Sequence, residues 1–222
     1  MRLETGDLEP QPFVRMSERG AVFVVSAPSG SGKSTLVTRL IQKTPNLTFS
    51  VSFTTRKPRG VEIHGREYFF VDESEFERMI AQDQFIEYAQ VFGHYYGTAK
   101  TYLEQALEKG TDLILDIDTE GAAQVKSKYP EAVSIFIVPP SYEALKTRLE
   151  NRRQDAPETI QKRLDWASQK EIYRYRNYDY IVVNEDLSQS FDLMRCIILA
   201  ERCRRNRMND RVQSIIKSFG GI

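Results

Sequence analysis

Several things are scarce in this sequence, and each scarcity narrows the field. Only two cysteines, Cys196 and Cys203, and two histidines, His64 and His94, occur in 222 residues. Seven positions apart in an expected helix, the cysteines are too distant for a disulfide within it. They read as buried or half-buried thiols of a reducing compartment. The histidines lie far from them, so no zinc set of the usual spacing arises. No apolar run reaches membrane-spanning length. The first twenty residues, MRLETGDLEPQPFVRMSERG, are polar rather than signal-like. Residues 1–19 therefore read as a flexible extension, and the protein as cytoplasmic with no membrane partner. An excess of charge is missing too: 31 Lys and Arg balance 31 Asp and Glu. With no overall field, nucleic acid is not an expected partner. Any anion site must come from arginines placed locally. Repeats and low-complexity segments are also absent.

What remains is an ordinary core-forming mixture, 41% hydrophobic and 28% charged. The length suits one α/β domain, or one core with an inserted lobe. Its organising stretch is AVFVVSAPSGSGKSTLVTRL, from Ala21 to Leu40. Ala21 to Ser26 is a short β-branched run of the kind that makes a buried parallel strand. Leu36, Val37, Leu40 and Ile41 then recur at helical spacing. Between strand and helix lies Ala27-Pro28-Ser29-Gly30-Ser31-Gly32-Lys33-Ser34. In such a turn successive backbone N–H groups converge on an anion, and side chains at Gly30 and Gly32 would obstruct them. Lys33 brings a mobile positive charge for the β and γ phosphates, and the Ser34 hydroxyl is placed for Mg²⁺. The usual pattern begins with Gly where this chain has Ala27, a small change for a turn. A nucleoside triphosphate site follows.

Further along, Phe49 to Phe53 alternates like a strand and leads into Thr54-Thr55-Arg56-Lys57-Pro58-Arg59-Gly60. Arg56 and Arg59 suit an anion, though a solvated loop would look the same. Gly65 to Val71 reads as a strand, and Ser74 to Glu77 as a capping box opening a short helix. Phe85 to Phe92 alternates again before a turn at Gly93. Residues 50 to 98 are turn-rich, aromatic and antiparallel in flavour, and sit between two stretches of parallel α/β pattern. They form an expected inserted lobe.

A second capping box, Thr101 with Glu104, opens the next helix, and Gly110 stops it. The buried strand Asp112 to Ile117 carries Asp116, followed by Asp118. A carboxylate at a strand end beside a phosphate loop commonly holds Mg²⁺ or its waters. For Asp118 the alternative is a cap on the helix at 120–128. Val133 to Val138 is the next strand, and Tyr142 to Glu150 a helix. The segment RLENRRQDAP and a long helix with Lys162 and Arg163 follow. An arginine-rich hinge of this kind suits a mobile lid; a surface helix laced with ion pairs is the alternative. Tyr180 to Val183 is the last strand. One final helix is expected from near Ser188 into Arg202, Arg204, Arg205, Arg207 and Arg211, its basic end solvated.

Taken in order, SAPSGSGKS, SVSFTTRKPRGVEIHGREYFF, FIEYAQVFGHYYGT, LILDID, IFIVPPS, RLENRR, KRL and IVVNEDL resemble the guanylate kinases over roughly Gly20 to Arg205. The resemblance implies a P-loop-type parallel sheet core (20–49, 99–150 and 172–205) flanked by helices. It also implies an inserted mixed-β GMP-binding lobe (50–98) and an arginine-bearing lid (151–171), with 206–222 as a tail. The implied reaction is ATP plus GMP to ADP plus GDP, with dGMP as a further acceptor, in purine nucleotide supply and recycling. The implied ATP residues are Ala27 to Ser34, Thr35 and Asn184, the last in the region that recognises adenine. The acceptor phosphate falls to Arg56, Arg59, Tyr68 and Tyr96, the guanine to Glu87, Ser52 and Thr98, and a further GMP contact to Asp118. Lys33, Arg56, Arg152 and Arg163 are the implied catalytic set, with Mg²⁺ at Ser34 and Asp116, directly or through water. A homo-oligomer is compatible with all of this. Val61 and Arg153 depart from the family by replacing glycines. Two related activities compete: phosphorylation of ribose 1,5-bisphosphate, which needs no guanine pocket, and phosphopeptide binding by a catalytically idle scaffold module. Glu87 with its hydroxyl neighbours argues against the first, and the intact Gly32-Lys33-Ser34 against the second.

Overall fold

The computed structural model describes residues 19–91, 93–152 and 156–220. Most of the expected extension, and Arg153, lie outside them. In chain order the elements are β1 (Val22–Ser26), α1 (Lys33–Lys43), β2 (Leu47–Phe49), β3 (Ser52–Thr54), β4 (Tyr68–Phe70) and α2 (Glu73–Ala81). Next come β5 (Phe85–Val91), β6 (His94–Ala99), α3 (Lys100–Glu108), β7 (Asp112–Asp116), α4 (Thr119–Lys128) and β8 (Val133–Val138). The chain continues through α5 (Tyr142–Asn151), α6 (Pro157–Trp166), β9 (Tyr180–Val183), α7 (Leu187–Arg202) and α8 (Arg205–Ser218). A π-helical turn at Ala167–Glu171 and a 3-10 stretch at Ile172–Asn177 prolong α6.

Five parallel strands stand in the order β2-β7-β1-β8-β9. The central strand β1 is apolar without alternation because both of its faces are covered. Phe23 and Val25 join Ile114, Ile135 and Ile137 beneath Leu36, Val37 and Leu40 of α1 and Met194 and Ile198 of α7. Val22 and Val24 join Leu113 and Leu115 on the other face, under Leu103 and Leu107 of α3 and Ala122 and Val125 of α4. A second, mixed sheet has the order β4-β3-β6-β5, with β3 and β4 parallel and the other pairs antiparallel. Its small core stacks Phe76 on Phe85 at 4.5 Å, with Met79 and Ala99 beside them. The mixed pairing agrees with the mixed-β lobe implied by resemblance, and the parallel β3–β4 pair departs from the antiparallel flavour of the residues alone. Among the described residues no helix is long and apolar enough to cross a membrane.

Local punctuation differs from expectation in five places. The alternating run Phe49 to Phe53 is not one strand: it ends in the parallel sheet at Phe49 and resumes in the mixed sheet at Ser52. Helix α2 is capped by Asp72, whose carboxylate accepts the Glu75 N–H, and the Ser74 hydroxyl only supports that cap. Helix α3 starts one residue before Thr101, so the supposed second cap lies inside the first turn. The last helix is two, separated at Cys203 and Arg204. Both cysteines are exposed rather than buried.

The parallel sheet is tied to α7 by a buried ion pair. Asp112, at the start of β7, accepts the Ala21 N–H at 2.7 Å on one oxygen and Arg202 Nε at 2.6 Å on the other. Arg202 also reaches the Pro45 carbonyl at 2.7 Å. Removing one partner of such a pair strands the other without solvent, at a cost of about 3–5 kcal/mol. Asp112→Ala should therefore lose about that much in a denaturant titration. A loss under about 1 kcal/mol would mean that water reaches Arg202 and that the pair stabilises little.

Candidate functional site

The carboxyl edge of the parallel sheet carries the phosphate loop. Gly30 and Gly32 both take positive φ, at 97° and 90°, where a side chain would be strained. Close packing adds a second reason. A Cβ on Gly30 would meet Leu149 and Leu145 of α5 at 2.9 and 3.0 Å, and one on Gly32 would meet Asn184 Nδ2 at 2.5 Å. Gly32 also serves as the N-cap of α1 and has no side chain to satisfy the first N–H groups. Those groups are left for an anion.

Parallel pairing sets Val25 opposite Asp116, so the loop leaving β1 passes directly beside that carboxylate. Lys33 forms an ion pair with Asp116 and donates to the Ile117 carbonyl at 3.0 Å. The Ser34 hydroxyl lies 3.4 Å from the other Asp116 oxygen. A hydroxyl and a carboxylate are hard oxygen ligands of the kind Mg²⁺ takes together with phosphates and water. Among the described residues there is no cluster of three or more acidic, Cys or His side chains that would cage a metal unaided. The donor set thus fits a cation brought in with its phosphates.

The segment expected as a lid reaches the same loop. Leu145 and Leu149 of α5 pack with Leu164, Ala167 and Ile160. Arg163 Nη1 donates to Ser29 Oγ at 3.2 Å. Arg152, at the end of α5, is exposed and makes no bond to the loop among the described residues. Asn184, 3% exposed, stands behind the loop and donates from Nδ2 to the Ser31 carbonyl at 2.7 Å. Its side chain braces the loop from behind.

The mixed sheet brings a second set of groups together. Arg56 is only 6% exposed. Its guanidinium donates to Glu62 at 2.9 Å and to the Lys57 carbonyl at 2.7 Å, and lies over the Tyr68 ring at 5.4 Å. The Glu62 carboxylate raises the Arg56 pKa, and Arg56 in turn lowers that of Glu62. Tyr68 meets Tyr96 edge-on at 6.0 Å. Burial raises the Tyr68 phenol, which stays a hydrogen-bond donor. Arg59 is exposed, and its backbone N–H donates to Glu62 at 2.7 Å.

Glu87 is the unusual group of this half. An edge strand with alternating sequence would turn it outward, but a register shift between Phe85 and Glu87 leaves Phe85, Ile86 and Glu87 all buried. The carboxyl is 4% exposed and accepts Thr98 Oγ at 2.6 Å. Burial pushes its pKa up to about 7, the Asp118 charge adds to the rise, and the Thr98 hydroxyl opposes it. Asp118 does cap α4, its Oδ1 accepting the N–H groups of Glu120 and Gly121 at 2.9 and 2.7 Å. The cap and the place beside Glu87 belong to the same residue. Ser52 is half-buried in β3, in the same sheet.

Two residues here, Glu62 and Glu171, escape sequence reasoning, and a third, Asn184, is named there without its contact. Glu62 ties Arg56 to the Arg59 backbone, and its only signal is that it is the sole carboxylate in the run from Arg56 to Gly60 and the residues just after. The resemblance names Asn184 for ATP, but its contact with the Ser31 carbonyl, 153 positions away, is one that no local pattern reveals. Glu171, at the end of the π-helical turn, has its pKa raised by burial and opposed by the Lys33 charge, which places it near the phosphate loop.

A parallel sheet with a phosphate loop after its central strand, an acidic neighbour strand and a covering arginine helix defines the P-loop phosphoryl-transfer class. The guanylate kinase family model matches residues 19–201. A guanylate kinase of Koribacter versatilis is 53% identical over 224 residues, covering 90% of this chain and 96% of that relative. One of Escherichia coli K12 is 46% identical over 203 residues, covering 90% and 98%. The crystal structure of guanylate kinase from Anaplasma phagocytophilum superposes with a TM-score of 0.74 at 34% identity, covering 94% of this chain and all of that one. This chain belongs to the guanylate kinase family.

The Glu87 environment is testable without any ligand. The Thr98 hydroxyl favours the ionised carboxylate, so Thr98→Val should raise the Glu87 pKa above its value of about 7. Infrared titration of the protonated carboxyl band, with Glu87→Gln as the blank, would read it. A downward shift in Thr98→Val would show that the hydroxyl does not stabilise the charge.

Proposed function

We propose that this chain transfers the γ-phosphoryl group of ATP to GMP, giving ADP and GDP. The buried Glu87 carboxyl, held by Thr98 beside Asp118, carries the reading. Guanine presents N1–H and N2–H side by side, and one carboxylate can accept both. Those bonds favour the ionised form, so the acceptor base draws Glu87 out of its half-protonated state. Adenine offers an N1 lone pair and no 2-amino group at that edge, leaving the carboxylate buried opposite an acceptor.

The acceptor phosphate is assigned to Arg56, Arg59, Tyr68 and Tyr96, with guanidinium forks for the dianion and phenols that donate without adding charge. Ser52 and Thr98 complete the base pocket, and Asp118 contacts the nucleotide from the start of α4. ATP phosphates belong to Ala27 through Thr35, with Lys33 neutralising the transferring group. Ser34 and Asp116 would hold Mg²⁺ or its waters, and the ion would supply positive charge to offset that of the transferring phosphoryl group. Asn184 serves ATP by fixing the loop carbonyl of Ser31. Arg163 already touches the loop, and Arg152 joins it when the lid closes, so both act on the transition state. In division of labour, residues 20–49, 99–150 and 172–205 are the core, 50–98 the acceptor lobe and 151–171 the lid. A cytoplasmic site of action, dGMP as a further acceptor and self-association belong to the same reading.

Ribose 1,5-bisphosphate would make no use of a buried carboxylate, so it ranks second. A coupled assay with ATP·Mg²⁺ and GMP, AMP or ribose 1,5-bisphosphate in parallel decides between them. GMP should exceed AMP by several powers of ten in kcat/KM, since each lost charged hydrogen bond is worth about 1.5–3 kcal/mol. Comparable turnover of ribose 1,5-bisphosphate would overturn the assignment.

A further inference from the structure

Helix α4 lies along the edge strand β5 and meets it through Gly121, Gln124 and Lys128, which share one helical face. Gln124 exchanges two bonds with the Tyr88 backbone. Its Oε1 accepts the N–H at 3.2 Å, and its Nε2 donates to the C=O at 2.9 Å. Lys128 Nζ donates to the Phe85 carbonyl at 3.1 Å. Between those two anchors β5 turns Glu87 inward, towards the first turn of the helix. At that point the helix has no side chain. A Cβ on Gly121 would stand 2.8 Å from Glu87 Oε2, 3.4 Å from its Cδ and 3.5 Å from Asp118 Oδ1.

Nothing in the backbone asks for glycine there. Gly121 is not among the described residues with positive φ. Inside a helix, glycine is a poorer former than alanine, so local stability favours a side chain. The atom that a side chain there would meet first is the Glu87 carboxylate oxygen, with Asp118 Oδ1 in ordinary contact range. Glu87 cannot yield freely either, because its other oxygen is held by Thr98 at 2.6 Å. A methyl group at 121 would have to break that bond, turn the carboxylate or lift β5 from α4.

We infer that Gly121 is a specificity-positioning residue, whose missing side chain reserves the space in which Glu87 presents its second oxygen to the acceptor base. This rests on the assignment of Glu87 to guanine. The consequence is confined to the base edge. Gly121→Ala should disturb the reading of N1–H and N2–H and leave the phosphate loop, on the far side of Asp118, as it was.

The test is a double-mutant cycle read with GMP and with inosine 5′-monophosphate, which lacks the 2-amino group. Gly121→Ala should raise the GMP KM at least tenfold and lower the GMP to IMP preference by a similar factor. The Kd of a non-hydrolysable ATP analogue should stay within twofold. Glu87→Asp draws the carboxylate back by one methylene, so adding Gly121→Ala to it should change the GMP KM less than threefold. An unchanged preference in Gly121→Ala, or an equal cost in both backgrounds, overturns the inference. Should Gly121→Ala alone fail to fold, recovery of folding in the double variant supports the contact. Failure in both overturns it, because the methyl group would then act on the helix. The wild-type control keeps the two levels apart: no turnover of GMP by the unaltered chain would sink the acceptor assignment itself.

Discussion

Parallel pairing of β1 with β7, in the register that sets Val25 beside Asp116, is the constraint from which the donor half follows. Two adjacent parallel strands end at the same edge of the sheet. The turn leaving one therefore opens next to the last residue of the other. That neighbourhood puts Lys33 and Ser34 on Asp116 without help from any other element. Two buried faces hold the register, since a shift by one residue would exchange Phe23 and Val25 for Val22 and Val24. The Asp112–Arg202 pair pins the opposite end of β7 to α7 and to the turn at Pro45. A substitution in that distant pair would thus act on the phosphate loop through register rather than contact.

The acceptor half hangs on α4. Its N-terminal residues lie at the carboxyl edge of the parallel sheet, and its flank closes the edge of the mixed sheet. On the proposed assignment, one helix therefore links the donor and acceptor seats. Asp118 caps it at the start, and Glu87 faces it from β5. The cost of this arrangement is visible in Glu87, a buried carboxyl whose pKa is pushed up to about 7. A carboxyl destabilised by burial gains more from new donors than an exposed one, which is how a pocket turns poor solvation into discrimination. Glu62 does comparable work for Arg56 by keeping a buried guanidinium paired.

What could be read from the chain without coordinates follows physical range. The phosphate loop was legible because its parts are neighbours in sequence and its glycines answer to local backbone angles. Asp116 was legible from the length of its strand. The split between Phe49 and Ser52 was not, because alternation says nothing about which sheet a residue joins. Nor was the inward turn of Glu87, which needs both a register shift and a covering helix from thirty residues away. Asp72 stands as the cap instead of Ser74 because the helix begins at Glu73, which leaves the Glu75 N–H within reach of the Asp72 carboxylate and puts Ser74 inside the first turn. The break at Cys203 and Arg204 left no mark in an otherwise helical pattern. The brace from Asn184 to the loop and the close approach of Gly121 to Glu87 act through space alone, and only the fold shows them.

On the proposed assignment the donor and acceptor seats meet near the start of α4, which implies direct transfer with no phosphorylated enzyme between ATP and GMP. The stereochemical course at phosphorus tests that most directly. With ATP made chiral at the γ-phosphate by oxygen isotopes, a single in-line displacement predicts GDP with inverted configuration at the transferred phosphorus. Retention would require two displacements through a covalent enzyme intermediate, and would contradict the arrangement described.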